Sequence, residues 1–541
     1  MAAYRREDRT FGYLASIVMA GAIGLVIMAT PLNLRHATIA VAAIGAAYVL
    51  IGSWGLRARM SNRTGSEDDI RALPTPSARL ATAFRWPLIA TGYFIASVSL
   101  LIATYDLTDG SGQVLPANMV YLINVALLAA HARVARASGL AYGAVLLFVL
   151  PFTLTVYDLF GETNDLAVFP SAALSFGWVG LALAYIGLGQ LAERIRGKHA
   201  LALIAPGYAL LIASVLPALG SAERQSVVFG AIVAVAAVSA FLVHRGAAPH
   251  TIEYVATKLS WPLQIARRHL VTGLIAVAAL LSPLWSLEVL ALFTREAPIQ
   301  GLVLALEAPL FLLVGTLIFK RIDRLYAWTV LFAAYGMSVI AVLFTLNDEV
   351  IRLVTLLAAT AVFGASLAIF RRGEWLYPLL ISAHLSVVAF LTLPQLDISQ
   401  PVMGIIFVPI TLGMAVGLGI SMRDAKDKNI KVMLKPWTTP FILFGVVDLS
   451  ASLVLAAGEN WAGFVVTITY AIVTAIGAYI SRNRLAPYVS TVFLTLSVMF
   501  ASRMFGLSWS QSAIVWATQG FIMWWMSQTA NALSRRGSPE G

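Results

Sequence analysis

The chain has 541 residues, of which 59% are hydrophobic and only 12% are charged. Soluble domains carry about 25% charged residues, so this composition excludes an ordinary soluble protein and indicates a membrane protein. The absence of cysteine excludes disulfides, thiolate metal sites and a cysteine nucleophile. The net charge of +11 lies mostly in the breaks between apolar segments, which indicates membrane orientation rather than a nucleic-acid partner.

Apolar segments long enough to cross about 30 Å of hydrocarbon as helices follow one another along the whole chain. We count eighteen, separated by charged or turn-rich breaks. They lie near residues 11–30, 37–56, 86–105, 117–132, 138–160, 167–192, 200–219, 226–243, 271–292, 301–319, 325–346, 353–370, 376–394, 401–421, 438–456, 462–481, 487–505 and 511–530. The sequence therefore predicts an all-α, polytopic transmembrane helix bundle of about eighteen spans.

The distribution of basic residues predicts the orientation of these spans. When alternate breaks are assigned to opposite sides, one side receives 32 of the 37 lysines and arginines and the other receives four. The remaining residue, Arg503, lies near the end of a span, where extension toward the headgroups is favoured over a buried pair with an acid. The positive-inside rule then predicts cytoplasmic termini. The hairpin rhythm, basic inner turns and aromatic helix starts resemble multi-pass bacterial membrane proteins in general, so the expected location is a bacterial inner membrane.

Three long inner connections, after the second, eighth and fourteenth spans, suggest a degenerate six-helix repeat. Chance similarity of short Ala- and Ser-rich stretches is the alternative. The predicted division is residues 1–85 (two spans and a cytoplasmic loop), 86–270 (six helices and an interfacial loop), 271–437 (six helices and a cytoplasmic loop) and 438–541 (four helices). In the second connection, Thr251 to His269 is predicted to form a helix on the membrane surface, which Pro262 would split.

Ionisable residues inside apolar spans are costly and are therefore candidates for a functional site. The candidate intramembrane polar residues are Glu288, Glu307, Asp448 and His384. Glu288 and Glu307 occupy consecutive helices, each roughly 6 to 9 Å below the outer boundary. Their carboxylates are expected to approach each other and share a proton. Independent access of both acids to the outer water is the alternative.

Two prolines, Pro283 and Pro309, stand near these glutamates as candidate helix breaks that would free backbone carbonyls. Asp448 lies near the middle of its span, so it must be protonated, paired or facing water. No basic residue is expected beside it at that depth. His384 lies well within a span, but haem ligation would require a second histidine at the same depth, and the sequence offers none.

The sequence contains no phosphate-binding glycine loop, nucleophile elbow, zinc motif or dinucleotide fingerprint. No catalytic, cofactor-binding or metal-binding residue is therefore predicted, and no cofactor. The acidic run Glu67, Asp68 and Asp69 is interpreted as part of a solvated loop rather than as a cation site.

Three functions compete. A transporter or flippase of a small or lipid-linked solute is indicated by many spans, prolines within helices and sparse buried acids. A non-catalytic scaffold or subunit of a membrane complex would use the same polar residues for helix packing alone. A membrane-embedded transferase is disfavoured because no extended outer loop carries paired acids or histidines. The lipid bilayer is the expected partner, with other membrane subunits under the second hypothesis.

Overall fold

The computed structural model describes residues 9–30, 33–55, 76–108, 114–135, 137–160, 172–196, 200–423, 436–481 and 486–536. Within these ranges the chain is helical and contains no β-strand. Helices α1 to α10 are Arg9–Ala29, Leu34–Leu50, Pro76–Thr108, Val114–Ala135, Ser138–Phe160, Ala172–Arg196, Ala200–Ala213, Val215–Ala218, Ala222–His244 and Pro249–Leu259. Helices α11 to α20 are Leu263–Leu290, Ala297–Arg321, Arg324–Phe344, Glu349–Phe370, Leu376–Leu391, Gln400–Arg423, Thr439–Ala456, Asn460–Ser481, Ala486–Met504 and Trp509–Arg536.

Fifteen of the described helical segments are long and apolar enough to cross a membrane. Each of the eighteen predicted spans coincides with helical residues, so the prediction of an all-α polytopic bundle is confirmed. The predicted spans outside the fifteen are those of α1, α19 and α20. The apolar part of α1, Gly12–Ile27, is shorter than a full span. In α19 and α20, serine, threonine and glutamine side chains lower the hydropathy.

The chain divides into two compact units. Unit 1 comprises Met1–Thr294 and Asp323–Val330, and unit 2 comprises Arg295–Ile322 and Leu331–Gly541. Helix α13 therefore begins in unit 1 and continues in unit 2. The predicted four-part division and the six-helix repeat concern a finer level of organisation than these units, and they stay predictions.

In unit 1 neighbouring helices pack closely at glycines, which have no side chain to hold the two backbones apart. Helix α2 packs on α3, α4 on α5, α6 on α7 and α9 on α11. A Cβ atom added to Gly92 of α3 would lie 2.8 Å from the carbonyl oxygen of Gly45 on α2 and 2.7 Å from Val49 Cγ2. Small residues let helix backbones approach in this way in a bilayer, where hydrophobic burial does not favour association.

In unit 2 the same principle fixes the position of α17. Helix α17 packs against α16, and a Cβ atom added to Gly404 of α16 would lie 2.8 Å from the carbonyl oxygen of Ser452 on α17. On the other side, Tyr470 of α18 is buried and packs against Phe493 of α19, with ring centroids 5.3 Å apart. Helix α17 also contacts α18, so polar groups on α16, α17 and α18 can meet.

The connection between α9 and α11 contains the short helix α10, whose N-terminus is capped from another helix. Glu193, buried near the end of α6, accepts from the backbone N–H of Thr251 at 2.9 Å and from Thr251 Oγ1 at 3.2 Å. A carboxylate is favourable here because it satisfies donors at the positive end of the helix. The side chains of Ile252 and Ala256 are buried and attach α10 to unit 1.

The predicted helix from Thr251 to His269, split at Pro262, is confirmed as helical on both sides of that proline, with α10 before it and the first residues of α11 after it. Helix α10 ends at Leu259 because Ser260 adopts the left-handed conformation, with φ of 53°. Pro262 then precedes α11, so the residues up to His269 belong to that long helix. The expected position of α10 on the membrane surface stays a prediction.

An ion pair joins α11 to the start of α13 within unit 1. Arg268 Nη2 donates to Asp323 Oδ1 at 2.6 Å, and the backbone N–H of Leu325 donates to the same oxygen at 2.7 Å. Burial alone would raise the pKa of Asp323, but the hydrogen bonds from Arg268 and Leu325 outweigh it and hold this pKa below its ordinary value. Asp323 therefore both caps α13 and pairs with α11.

Candidate functional site

A histidine and an aspartate meet near the middle of two spans in unit 2. His384 lies midway along α15 and Asp448 lies midway along α17. His384 Nε2 is 2.8 Å from Asp448 Oδ2. The Asp448 side chain is 1% exposed and that of His384 is 14% exposed. The two groups therefore form a buried, hydrogen-bonded pair.

The contacts of this pair define how many protons it holds. His384 Nδ1 lies 2.6 Å from the carbonyl oxygen of Leu380, one turn earlier on α15. Because a carbonyl oxygen only accepts, Nδ1 carries a hydrogen. The contact between Nε2 and Oδ2 then needs one more proton, which lies either on the imidazole or on the carboxyl group. The pair is thus an imidazolium with a carboxylate, or a neutral imidazole with a carboxylic acid.

An aromatic ring covers the histidine. The Phe444 ring stacks on the His384 ring with centroids 5.0 Å apart and an interplanar angle of 28°. Phe444 lies one turn before Asp448 on α17, so the same face of this helix supplies both the stacking ring and the hydrogen-bond partner. These contacts hold the imidazole ring between its two hydrogen-bond partners, the carbonyl oxygen of Leu380 and Asp448 Oδ2.

A short chain of hydroxyl groups continues from this face of α17. Ser452 lies four residues after Asp448 and therefore on the same helix face. Its Oγ is 2.8 Å from the hydroxyl of Tyr470 on α18, which in turn donates to Thr411 Oγ1 on α16 at 3.0 Å. Ser452 is fully buried and Tyr470 is 3% exposed. Three helices of unit 2 thus place hydroxyl groups near mid-span.

The sequence predicts both members of the pair as candidate intramembrane residues but does not predict their contact. The expectation that no basic residue lies beside Asp448 is wrong, since His384 occupies that position. The two residues are 64 positions apart, on spans separated by α16, and apolar patterning does not reveal which helices adjoin. The hydroxyls of Ser452, Tyr470 and Thr411 were not predicted, although the four-residue spacing of Asp448 and Ser452 was a usable signal.

Glu288 lies near the end of α11 in unit 1, where it contacts α9. The Gln225 amide nitrogen, assigned from its surroundings, lies 2.9 Å from each of the two Glu288 carboxylate oxygens. Glu307 lies on α12 and belongs to unit 2. The expected approach of Glu288 and Glu307 and their shared proton stay predictions.

Pro283 and Pro309 lie inside continuous helices, α11 and α12 respectively. Neither residue ends its helix, in contrast to the expected helix breaks. A proline removes one backbone hydrogen bond, and a helix in lipid tolerates this when nearby groups compensate.

No cluster of three or more His, Asp or Glu side chains suited to a metal ion occurs among the described residues. The acidic run from Glu67 to Asp69 lies outside them. Comparisons of the chain with protein-family models, curated proteins and solved structures found no match. The buried polar side chains between the helices are therefore the basis for assigning a function.

Proposed function

We propose that this multi-pass membrane protein is a proton-coupled transporter or flippase of a small or lipid-linked solute. The observation that supports this most strongly is the His384–Asp448 pair, which is buried near mid-span and joins an imidazole to a carboxyl group across 2.8 Å. Secondary transporters place their coupling-ion sites near the bilayer midplane. A buried acid paired with a histidine is a common element of proton relays in pumps and transporters.

Loss of the proton from the pair would leave a buried charge, and that charge is unfavourable unless the surroundings of the pair change. With the proton present, the pair is neutral overall and its hydrogen bonds are satisfied. Without it, the Asp448 carboxylate faces a lone pair of the His384 ring, and an uncompensated charge at this depth costs of order 3 kcal/mol by insertion scales. Release of the proton therefore requires water or a polar solute to reach Asp448, and that requirement couples protonation to conformation.

The hydroxyl chain gives the proton or a solute a way to leave the pair. A hydroxyl group both donates and accepts, so Ser452, Tyr470 and Thr411 can exchange partners by rotation. Reversal of the chain would release the bonds that Ser452 and Thr411 now donate to carbonyl oxygens of their own helices. A polar solute entering between α16, α17 and α18 would replace one of these bonds with its own. In the proposed mechanism, His384 and Asp448 hold the proton and the three hydroxyls line the path.

The same proposal includes an orientation and a location. In this proposal both termini lie in the cytoplasm, which the division of basic residues into 32 and four supports, and the membrane is a bacterial inner membrane, as the general resemblance to multi-pass bacterial membrane proteins suggests. Glu288 and Glu307 would then lie toward the outer surface. In the proposed cycle they receive protons from that side.

The test is transport by the purified full chain in proteoliposomes. Scrambling of a fluorescent phospholipid and uptake of a panel of labelled solutes would be measured with acidic and with alkaline outer buffer. Asp448→Asn preserves the shape and a hydrogen bond to neutral His384 but cannot titrate. We expect wild type to respond to outer pH and D448N to lose that response. Ser450→Ala is the matched control, since Ser450 is exposed on α17 and bonds only to its own helix.

Two results would count against the proposal. If D448N keeps the wild-type pH response, the pair does not couple protons. If no substrate in the panel moves under either condition, the second candidate function gains support, namely a non-catalytic subunit of a membrane complex. The close backbone contacts at Gly45, Gly92 and Gly404 favour that function, because they are devices of helix packing.

A further inference from the structure

The last two helices of unit 2, α19 and α20, form a hairpin whose crevice contains two cavities. The first, of about 280 Å³, lies beside the turn that joins the helices. The second, of about 610 Å³, lies further along the same two helices. The second volume falls within the range of about 300 to 1,000 Å³ that is typical of small-molecule sites.

The first cavity is lined by groups that suit an anion. Arg503 at the end of α19 places its guanidinium 5.1 Å from the centre of the Trp509 ring. The Nε1–H group of Trp516 is buried and has no hydrogen-bond partner in the described part of the chain. The hydroxyl of Ser512, a residue only 4% exposed, adds a third potential donor. No acidic side chain lines this cavity.

Arg503 has no acidic partner in the part of the chain that the structure describes. Among the described residues, the ion pairs join other side chains, and none involves Arg503. A buried indole N–H without a partner is unfavourable, because it has lost its hydrogen bond to water. An anionic group in this cavity would balance the charge of Arg503, and the Nε1–H of Trp516, a residue that lines the same cavity, is an unpaired donor beside it.

The second cavity is an apolar groove. Its walls are mainly branched aliphatic and methionine side chains, and flexible methionines adapt to the shape of a bound chain. The lining residues are Thr491, Leu494, Val498, Ile514, Val515, Thr518, Gln519, Ile522, Met523 and Met526. Gln519 Nε2 donates to Thr495 Oγ1 at 3.3 Å, which ties α20 to α19 beside the groove.

The dimensions match one leaflet of a bilayer. Ser502 in the first cavity and Thr491 in the second are eleven positions apart on α19, or about 16 Å at 1.5 Å per residue. Half of the hydrocarbon thickness is about 15 Å. With α19 spanning the bilayer as the sequence predicts, the cationic end of the crevice would lie at the depth of a headgroup and its apolar end at the depth of an acyl chain.

We propose that this crevice binds a membrane phospholipid, with the phosphate between Arg503 and Trp516 and one acyl chain in the groove. A free phosphate would use only the first cavity, and a helix from a second copy of the chain would not supply the anion. A phospholipid satisfies both cavities. This site lies on different helices from the His384–Asp448 pair and does not depend on the transport proposal.

The test is native mass spectrometry of the full chain in detergent, titrated with phosphatidylglycerol. Arg503→Gln and Trp516→Phe each remove one interaction with the phosphate while keeping much of the side-chain volume. We expect each to weaken binding about tenfold, the equivalent of a hydrogen bond to a charged group. Arg295→Gln, at an exposed arginine outside the crevice, is the matched control and should leave the affinity unchanged.

Further measurements test whether binding requires the whole phospholipid or only its phosphate or its acyl chains. Diacylglycerol with the same acyl chains should bind at least tenfold more weakly, and inorganic phosphate should not displace phosphatidylglycerol. Val498→Phe should weaken lipid binding by filling the groove, and Val515→Phe tests the same groove from α20 if the first variant does not fold. Equal affinities of R503Q, W516F and wild type, displacement by phosphate alone, or a lipid-free dimer in which this hairpin is the interface would overturn the proposal.

Discussion

Alanine substitution of His384 and Asp448, singly and together, measures the free energy that couples the two residues across α15 and α17. The double-mutant cycle isolates this term because the other contacts of each residue cancel. The structure gives a distance of 2.8 Å and an aspartate that is only 1% exposed. A strong coupling is therefore expected, since the surrounding helices exclude most of the water that would otherwise replace the bond.

The magnitude follows from the type of bond. Hydrogen bonds between membrane helices average about 0.6 kcal/mol, with a maximum near 1.7, whereas bonds to charged groups contribute about 1.5 to 3 kcal/mol. We expect a coupling energy of about 2 kcal/mol. His384→Ala also loses the bond to Leu380 and the Phe444 stacking, so it should cost about 3 to 4 kcal/mol in all.

Equilibrium unfolding of the purified protein in mixed micelles of mild and denaturing detergent gives the required free energies. A second cycle, between His384→Ala and Ser450→Ala, is the control, because Ser450 is exposed on the same helix as Asp448. That cycle should be additive within about 0.5 kcal/mol. A coupling below about 0.6 kcal/mol between His384 and Asp448 would refute the reasoning, since the pair would then be no stronger than an ordinary contact between helices.

Three further predictions concern packing, pH and topology. Gly92→Ala should destabilise unit 1 by about 1 to 3 kcal/mol through overpacking, whereas Gly180→Ala, where an added Cβ meets nothing within 4 Å, should not destabilise it; detergent unfolding measures both. Asp323 has a lowered pKa, so it stabilises the fold above the ordinary aspartate range, and this contribution is lost as pH falls through the lowered value. The stability difference between wild type and Asp323→Asn should therefore shrink below about pH 4, as a pH series of unfolding midpoints would show. Reporter fusions after Thr163 and Lys198 should report opposite sides of the membrane, and the same side for both would contradict the predicted topology.

Hydropathy predicted the helices well because a span in lipid must satisfy its backbone internally and present apolar side chains along about 20 residues. Hydropathy does not predict local backbone conformation or whether a proline ends a helix. Leu259 ends α10 because of the left-handed Ser260, a local conformation that hydropathy does not encode. Prolines 283 and 309 fit inside continuous helices because one lost hydrogen bond does not end a helix that is packed on its neighbours.

The candidate site could be predicted only as separate residues. The cost of burying a charge marked Asp448 and His384 individually. Their contact depends on which spans adjoin and how each is rotated about its axis, and serine, glycine and alanine contacts decide both. Such contacts give weak sequence signals, since the same small residues occur throughout the apolar segments. The hydroxyls of Ser452 and Tyr470 were missed for the same reason.

The hydrogen bonds of Glu193 couple the position of α10 to that of α6. Two donors of Thr251 at the start of α10 depend on one carboxylate of α6. Pulling the two helices apart would leave these groups unpaired, at a cost of about 1 to 3 kcal/mol for each buried group. Tilting of α6 would therefore pull on the N-terminus of α10, so a motion of this span would be transmitted to the connection between α9 and α11.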